Sequence, residues 1–542
     1  MQTSHNDENK ARASIWTRRL IPSIEGIIGI VIFTIVLTDG NRLLLDGDTG
    51  WHIRTGDYIL ENMEVPRVDI FSHRKYGAPW IAHEWLSDVI FAVVHRIAGL
   101  NGVVVFSAAA VALTFVLLFR LLQFYRFSIL TVTAMTILAA LTASLHWLAR
   151  PHLFSLCLSV VWYSLLESLQ NDPRSKKLYL FPILMVLWIN LHGGYLFGFA
   201  LLGIYGLSNL WGYILNQDSE RKLYKARIAA LFQIGLLCLI AAHLNPYGYR
   251  LLSFPFEIFG STTAMNDIGE WKSPDFHRFT WFEFYLLLLI ATCLMARQKF
   301  SVVEILLALF ATHSSLVSQR FIPFFAILMA PVLGRRVDAF YQFAISKPTR
   351  IWFLNVVQKR FRKSVENLQT LNDGLRHYEF TIAISVVAFL IASNDGRVVG
   401  KKILDFQFGG ANYPIAAVEF LKRNPLPGKM FNFYSYGGYL IYAFYPDPRY
   451  RVFVDGRAIV DGEDYFVEFQ RVNLIAREWK EILRVYGVNW IIYPAESWLS
   501  TLVLEGSEWK LIYADPNANI FIKNIPENQS LIDKFSSVQP VR

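Results

Sequence analysis

Long apolar runs separated by short polar segments occupy the chain up to about residue 394. Such runs are typical of helices that cross a bilayer, which need about 20 predominantly apolar residues. The pattern therefore predicts a polytopic α-helical membrane protein with about eleven transmembrane helices. The predicted spans are residues 21–45, 101–122, 128–148, 152–168, 178–191, 194–214, 227–244, 280–296, 301–317, 320–333 and 378–394.

The segment 46–100, between the first two spans, forms the first predicted loop. Its second half, residues 85–100, carries apolar residues at helical spacing with Asp88 and Arg96 between them. That spacing favours an amphipathic helix that lies in the membrane interface rather than one that crosses the bilayer.

Beyond residue 394 the pattern changes to short apolar runs of strand length that alternate with helical periodicity. This alternation is typical of a small α/β domain. The predicted organisation is thus a tail over 1–20, a membrane domain over 21–394 and an α/β domain over 395–542. We expect helices at 416–422 and 474–486 and strands at 429–433, 451–454, 490–493, 509–513 and 520–525.

Composition agrees with a membrane location. Hydrophobic residues make up 54% of the chain and charged residues only 18%, whereas soluble domains have about 25% charged residues. The three cysteines lie far apart in apolar runs and lack the spacing of metal ligands. The net charge of +9 fits either a nucleic-acid partner or a membrane orientation signal, and its distribution distinguishes the two.

The basic residues fall into alternate loops if the N-terminus is inside, as the positive-inside rule requires. The richest segment, residues 334–377, is predicted to be a cytoplasmic loop held against anionic membrane lipid rather than nucleic acid. We therefore expect a multi-pass protein of the cytoplasmic (inner) membrane, with its N-terminal tail inside and its α/β domain outside. The basic residues of the inner loops include Arg120, Arg126, Arg174, Lys176, Lys177, Arg221, Lys222, Arg335, Arg336, Lys359 and Arg360.

Polar and ionisable residues collect at the opposite, outer ends of the predicted spans. Several such groups at one level of a bilayer favour a shared watery cavity or ligand site, because isolated ones are costly there. The alternative is that each side chain caps its own helix at the headgroup layer. The set includes Asp46, Asp48, His52, Arg54, His83, Glu84, Arg150, His152, His192, Glu270 and Arg320.

The first of these positions form an acidic pair. Asp46 and Asp48 flank Gly47, so both carboxylates can turn toward one substrate or one divalent cation. Oxygen ligands suit Mg²⁺ or Mn²⁺. Alternatively, Asp46 caps a helix that runs through His52 to Ile59.

The same segment, Asp48-Thr49-Gly50-Trp51-His52-Ile53-Arg54, resembles the first external loop of the GT-C superfamily. These are integral-membrane glycosyltransferases that use polyprenyl-phosphate-linked sugars. The nearest similarity is to the catalytic subunit of oligosaccharyltransferases and to bacterial glycosyltransferase-like membrane proteins of unknown acceptor. Two further segments resemble that family, SQRFIP at 318–323 and FYSYGGY at 433–439 followed by VDGR at 454–457.

The resemblance implies transfer of a sugar or glycan, with inversion, from a polyprenyl-phosphate-linked donor to an acceptor outside the cytoplasm. Asp48 is then the leading catalytic carboxylate, as base or metal ligand, with Asp46 and Glu84 as alternatives. His52 is a further ligand or hydrogen-bond partner. A divalent metal, Mg²⁺ or Mn²⁺, would be held by Asp48 and Asp46.

Other residues are predicted to bind substrate. Arg320 is the candidate for the donor phosphate, because a guanidinium meets phosphate oxygens in a bidentate manner, and Arg54 and Arg150 compete for that role. His192 is either a site residue or a turn histidine. Glu270 lies in a long outer loop that is either a substrate loop or a solvated surface.

One departure from the family pattern bears on the acceptor. The Trp-Trp-Asp that reads an acceptor sequon in that family is Phe433-Tyr434-Ser435 here, which favours a hydroxyl of a lipid or polysaccharide over a protein asparagine. Asp455-Gly456-Arg457 reads by itself as a tight turn. The alternative functions are a non-catalytic component of envelope polysaccharide assembly or export, and a transporter.

Overall fold

The protein is described by a computed structural model over residues 21–260, 269–295, 299–346, 350–375, 379–457 and 464–541. The predicted tail over 1–20 lies outside these residues. The fold is mostly helical, as the hydrophobic pattern predicts. The helices before residue 394 are α1 (Ile24–Thr38), α2 (Asp48–Asn62), α3 (Trp85–Phe124), α4 (Ile129–Ala143), α5 (His152–Asn171), α6 (Leu180–Leu191), α7 (Tyr195–Leu215), α8 (Asp218–Ala241), α9 (Arg250–Gly260), α10 (Trp281–Met295), α11 (Val302–Val317), α12 (Ile322–Ser346), α13 (Trp352–Gly374) and α14 (Glu379–Ser393).

Within the described residues, five helical segments are long and apolar enough to cross a membrane. They are α3, Ile129–His146, α5, α7 and Glu220–Ala241. Four shorter helices, α1, α10, α11 and α14, are also apolar. The chain thus has helices suited to a bilayer, while the number of crossings and their orientation stay predictions.

The predicted interfacial helix and the second predicted span are joined in the single helix α3. The helix is interrupted at Ala98 and Gly99, where Gly99 has φ 58°. Glycine adopts this left-handed conformation without a steric penalty. The amphipathic part and the apolar part of α3 therefore meet at a bend.

The first predicted span is too long, and the predicted loop 334–377 is mostly helical in its described residues, while its cytoplasmic location stays a prediction. The first helix ends at Thr38, and a 3-10 turn over Gly40–Leu44 leads into Asp46, so the predicted run to residue 45 is not one helix. The predicted cytoplasmic loop 334–377 is largely helical, because α12 continues to Ser346 and α13 follows. Its basic residues lie on helices rather than in an extended loop.

After α14 the chain forms an α/β unit around a four-stranded sheet. Its strands, in spatial order, are β3 (Lys429–Asn432), β4 (Val488–Pro494), β6 (Ala518–Lys523) and β5 (Trp509–Ala514), with β3 parallel to β4 and the other neighbours antiparallel. A small hairpin, β1 (Arg397–Val398) with β2 (Lys401–Lys402), precedes it. The elements are α15 (Ile415–Arg423), β3 (Lys429–Asn432), α16 (Gly437–Phe444), α17 (Asp464–Asn473), α18 (Trp479–Val485), β4 (Val488–Pro494), α19 (Trp498–Glu505), β5 (Trp509–Ala514), β6 (Ala518–Lys523) and α20 (Gln529–Lys534).

Two elements of this unit differ from the prediction. The segment 451–454 is not a strand of the sheet, because Val452 exchanges backbone hydrogen bonds with Phe71 (3.1 Å) and His73 (3.0 Å) of the first loop. The predicted helix at 474–486 is confirmed only over α18, since Ile475 has φ 56° and the helix begins after it, while α17, which ends at Asn473, was not predicted.

The α/β unit packs directly on the first loop through α16 and α2. A Cβ at Gly50 would lie 2.4 Å from the carbonyl oxygen of Gly438, so the two backbones approach as closely as glycine allows. Arg54 of α2 donates from Nε (2.9 Å) and Nη2 (2.7 Å) to the carbonyl of Tyr442. This contact brings the α/β unit to the start of α2, where the acidic pair lies.

Candidate active site

The acidic pair lies at the start of helix α2. Gly47 is the N-cap, and Asp46 Oδ1 accepts a hydrogen bond from the backbone N–H of Asp48 at 2.9 Å. Asp46 therefore orders the turn with one carboxylate oxygen and keeps the other available. Both carboxylates turn toward one partner, which is Arg150 instead of the substrate or divalent cation that the sequence analysis expected.

Arg150, just before α5, lies among three carboxylates from two separate parts of the chain. Its Nη1 is 2.6 Å from Asp46 Oδ2, its Nη2 is 2.9 Å from Asp48 Oδ2, and Nη1 is 3.3 Å from Glu270. All four side chains are largely buried, with Arg150 only 12% exposed. We call Asp46, Asp48, Glu270 and Arg150 the acidic cluster.

Arg320 joins the cluster through Glu270. Arg320 Nη1 lies 3.5 Å from Glu270 Oε1, and its guanidinium stacks 4.8 Å from the ring centre of Trp271. The two turns are tied together, since Ser318 Oγ donates to the carbonyl of Glu270 at 3.1 Å. The structure thus brings Asp46, Asp48, Glu270 and Arg320, all predicted site residues, to one place.

The carboxylates of the cluster differ in proton affinity. Burial, aided by the charge of Asp46, raises the pKa of Asp48 to about 8 against the opposing effect of Arg150. Burial acts in the same direction on Glu270, but Arg150 and Arg320 outweigh it and hold its pKa below the usual range. Asp48 is therefore the cluster carboxylate that can exchange a proton near neutral pH, while Glu270 stays ionised.

Glu84 lies among histidines. The Nε2 atoms of His192, His83 and His52 are 3.4, 3.6 and 3.7 Å from its carboxylate. His52 Nδ1 also lies 2.6 Å from Asp88 Oδ1. Burial lowers the pKa of His52 and of His192, so both imidazoles are neutral at physiological pH.

For His192 the structure shows the turn contact, while a role in a site stays a prediction. Its Nδ1 accepts from the backbone N–H of Gly194 at 2.9 Å, which is a turn contact, and the residue also lines the apolar cavity described next. Arg54, in contrast, binds the carbonyl of Tyr442 and Asp57, and the structure does not bring it to the acidic cluster.

Two cavities meet at the acidic cluster, one of about 490 Å³ and one of about 680 Å³. Asp48, Arg150, Glu270, Tyr434 and Gly456 line both of them. The smaller is largely apolar, and we call it the apolar cavity; the larger is the polar cavity. The apolar cavity is also lined by Trp51, Trp80, Glu84, His192, Tyr195, Phe197, Leu251, Phe254, Phe310, Arg320 and Phe324, and the polar cavity by Asp46, His146, Asn412, Tyr413, Ser435, Glu496 and Asn517.

The Asp-Gly-Arg turn of the α/β unit lies against Asp48, a placement that the sequence analysis missed. A Cβ at Gly456 would lie 1.7 Å from Asp48 Oδ1, so only glycine fits there without displacement. Arg457 Nη2 binds Asp69 (2.9 Å) and Asp455 (2.8 Å) in the wall of the apolar cavity. The similarity of this segment to the oligosaccharyltransferase family was the available signal, while the residues themselves indicated only a turn.

Comparison with known proteins gives no match by sequence and clear matches by structure. No protein family and no curated protein matches the chain. The oligosaccharyltransferase of Archaeoglobus fulgidus in its apo form matches 92% of this chain and 75% of its own, with 10% identity and a TM-score of 0.50. The archaeal oligosaccharyltransferase AglB from Archaeoglobus fulgidus, in complex with an inhibitory peptide and a dolichol-phosphate, matches 86% of this chain and 69% of its own, with 12% identity and a TM-score of 0.53.

A third structure shows the oligosaccharyltransferase of the apo form tethered to an acceptor peptide that contains the NVT sequon. It matches 92% of this chain and 74% of its own. Its identity is 11% and its TM-score 0.52. This chain therefore shares the fold of these oligosaccharyltransferases, which is the fold expected from the GT-C resemblance. The resemblance noted in three short segments therefore extends over most of the chain as a shared fold.

The GT-C resemblance implies a metal-binding aspartate in the first loop, and the predicted ligands are Asp46 and Asp48. Across the described residues, no group of three or more His, Cys, Asp or Glu side chains is arranged to hold a metal ion. Asp46 and Asp48 each direct a carboxylate oxygen to Arg150. While the guanidinium holds this position, the two predicted ligands do not fit Mg²⁺ or Mn²⁺ between them.

Proposed function

We propose that this protein is a membrane glycosyltransferase that moves a sugar or glycan from a polyprenyl-phosphate-linked donor to a hydroxyl acceptor outside the cytoplasm. The observation that carries the proposal is the position of Asp48. This buried carboxylate, with a pKa raised to about 8, lies where an apolar and a polar cavity meet, beside the guanidinium of Arg150.

The apolar cavity suits the donor. Its aromatic and aliphatic walls match an isoprenoid chain, and Arg320 and Arg150 stand where a phosphate would reach the acidic cluster. Guanidinium groups pair with phosphate oxygens in a bidentate manner and stay charged when buried. Dolichol-phosphate in the complex of the archaeal structural neighbour is in keeping with a donor of this class.

The polar cavity suits the acceptor. The hydroxyl of Ser435 and the amides of Asn412 and Asn517 line it, together with several tyrosines. These groups donate and accept hydrogen bonds in the way that a sugar or a lipid headgroup requires. We therefore place an acceptor hydroxyl in this cavity, within reach of Asp48.

In the proposed reaction the ionised Asp48 takes the proton of the acceptor hydroxyl as its oxygen attacks the anomeric carbon. The bond from that carbon to the phosphate oxygen breaks, and the polyprenyl phosphate leaves with the bonding electrons. Arg150 and Arg320 stabilise the negative charge on the departing phosphate. The attack inverts the configuration, and Asp48 then releases its proton to water.

The test is donor consumption in proteoliposomes that contain purified protein and an extract of polyprenyl-phosphate-linked sugars, followed by mass spectrometry. Wild-type protein should release polyprenyl phosphate, and Asp48→Asn should reduce the rate by about 100-fold or more, the usual loss on removing a general base. Asp395→Asn, an exposed outer carboxylate, is the matched control. Equal donor consumption by Asp48→Asn and wild type would contradict the proposal.

A non-catalytic partner in polysaccharide assembly or a transporter would bind or move the lipid-linked sugar without breaking it. Either alternative predicts intact donor and no free polyprenyl phosphate in the same experiment. We also propose the inner membrane as location, with the α/β unit outside. Cysteines introduced in the α/β unit, but not in 350–375, should then react with an impermeant reagent added to intact cells.

A further inference from the structure

The positive charge at the centre of the acidic cluster is the guanidinium of Arg150. Three carboxylates from two loops converge on one guanidinium, and the distances of 2.6 and 2.9 Å to Asp46 and Asp48 are those of charge-assisted hydrogen bonds. Acidic groups arranged in this way are also the preferred ligands of Mg²⁺ and Mn²⁺. In this chain Arg150 stands at that position.

The position of Arg150 is set by its backbone as well as by its side chain. The preceding residue, Ala149, donates its N–H to the carbonyl of Leu43 at 2.8 Å and accepts from Thr49 Oγ1 at 2.9 Å. Thr49 is the residue next to Asp48 in α2. Arg150 is thus anchored to the same helical turn that presents Asp48, and Pro151 restricts the chain that follows.

The charge balance of the cluster leaves little need for another cation. Asp46, Asp48 and Glu270 carry three negative charges when ionised, and Arg150 and Arg320 carry two positive ones. To bind between Asp46 and Asp48, a divalent ion would have to displace the guanidinium, which would then be buried without its partners. Leaving a buried charge unpaired is strongly unfavourable.

We propose that Arg150 takes the place of a divalent metal ion in this site, so that the site binds no metal between Asp46 and Asp48 and glycosyl transfer needs none. The part of this proposal that concerns transfer rests on the proposed function. The part that concerns metal binding does not, and it can be measured without any substrate.

The test is Mn²⁺ binding, measured by electron paramagnetic resonance on full-length protein in detergent. We expect wild-type protein to bind no Mn²⁺ between Asp46 and Asp48. Its amount of bound Mn²⁺ should therefore equal that of Asp46→Asn. Arg150→Ala, which leaves three carboxylates facing an open space, should gain one Mn²⁺ per chain, and adding Asp46→Asn to it should abolish that binding. Arg174→Ala, an exposed loop arginine, is the control and should behave as wild type.

Bound Mn²⁺ in wild type that is lost in Asp46→Asn would overturn the proposal, and so would Arg150→Ala protein that folds but gains no Mn²⁺. If Arg150→Ala does not fold, the comparison of wild type with Asp46→Asn still decides the outcome. Donor consumption by wild type should also change less than twofold after dialysis against EDTA. Loss of activity that Mn²⁺ restores would contradict the proposal, whereas absence of activity under all conditions would contradict the proposed function instead.

Discussion

The two cavities that meet at Asp48 are built from different parts of the chain. The apolar cavity is formed largely by the helical bundle, through side chains of α7, α11 and α12 such as Phe197, Phe310 and Phe324. The polar cavity is formed by the start of α2 and by loops of the α/β unit, including Ser435 and Glu496. The proposed reacting centre therefore belongs to neither part alone and exists only where the two are packed together.

The largest effect is expected at the contact between the two parts. Gly456→Ala would place a Cβ 1.7 Å from Asp48 Oδ1, so Asp48 or the turn must move. Because a displacement of about 1 Å can reduce catalysis by about 100-fold, we expect a loss of that order in the rate of donor consumption. Gly410→Ala, where a Cβ would meet nothing within 4 Å, is the control. Unchanged activity in Gly456→Ala would show that Asp48 does not need this contact.

The next largest effect should show which of the two cavities binds the donor. Arg320→Ala removes a guanidinium that we assign to the donor phosphate, and charge-assisted hydrogen bonds contribute about 1.5–3 kcal/mol. We expect KM for the lipid-linked donor to rise by about 10- to 100-fold, with KM for the acceptor unchanged. Arg278→Ala, an exposed arginine of the same outer region, is the matched control. A rise in acceptor KM instead would indicate that the apolar cavity binds the acceptor and the polar cavity the donor.

A smaller effect, on the KM of the acceptor instead of the donor, is expected for substitutions in the polar cavity. The double variant Asn412→Ala and Ser435→Ala removes neutral hydrogen-bonding groups that line this cavity only. Since neutral hydrogen bonds contribute about 0.5–1 kcal/mol each, KM for the acceptor should rise by about 5- to 30-fold, with donor KM constant. Steady-state kinetics with one substrate varied at a time gives the answer, and Thr501→Ala on the exposed face of α19 serves as control.

The smallest expected effect is a displacement of the pH profile. Asp48 acts as a base only when ionised, so kcat/KM should rise about tenfold per pH unit below the pKa of about 8 and level off above it. Because the charge of Asp46 raises the pKa of Asp48, Asp46→Asn should move the rise toward lower pH. A profile in which Asp46→Asn moves the rise to higher pH would contradict the assignment of the base.

Helices bounded by clear polar residues were predicted well from the sequence. The observed α10, α11 and α14 lie within one or two residues of the predicted 280–296, 301–317 and 378–394. The errors fall where tertiary contacts override the local pattern. Val452 pairs with the first loop instead of the sheet, and Ile475 breaks a helix that its neighbours would favour.

For the candidate site, the sequence indicated the acidic residues and Arg320. Carboxylates and arginines at the predicted outer ends of spans are energetically unfavourable unless they line a hydrated cavity or a ligand site. The sequence left Arg150 as one of several candidates for a phosphate, and it gave Gly456 only a place in a tight turn. An arginine next to a predicted span has many possible partners, and a glycine has no side chain that indicates chemistry. Their roles depend on contacts between residues about 100 to 400 positions apart.

The amino-acid pattern alone established a chain with several bilayer-suited helices followed by an α/β unit, because apolar periodicity is a local property of the sequence. The polar residues at one end of the spans also followed from that pattern. Tertiary packing alone decided that Arg150 occupies the space between Asp46 and Asp48, and that Gly456 lies against Asp48. The reason is physical: the electrostatic environment of a buried carboxylate is set by the groups that folding brings within a few ångströms of it, whatever their distance along the chain.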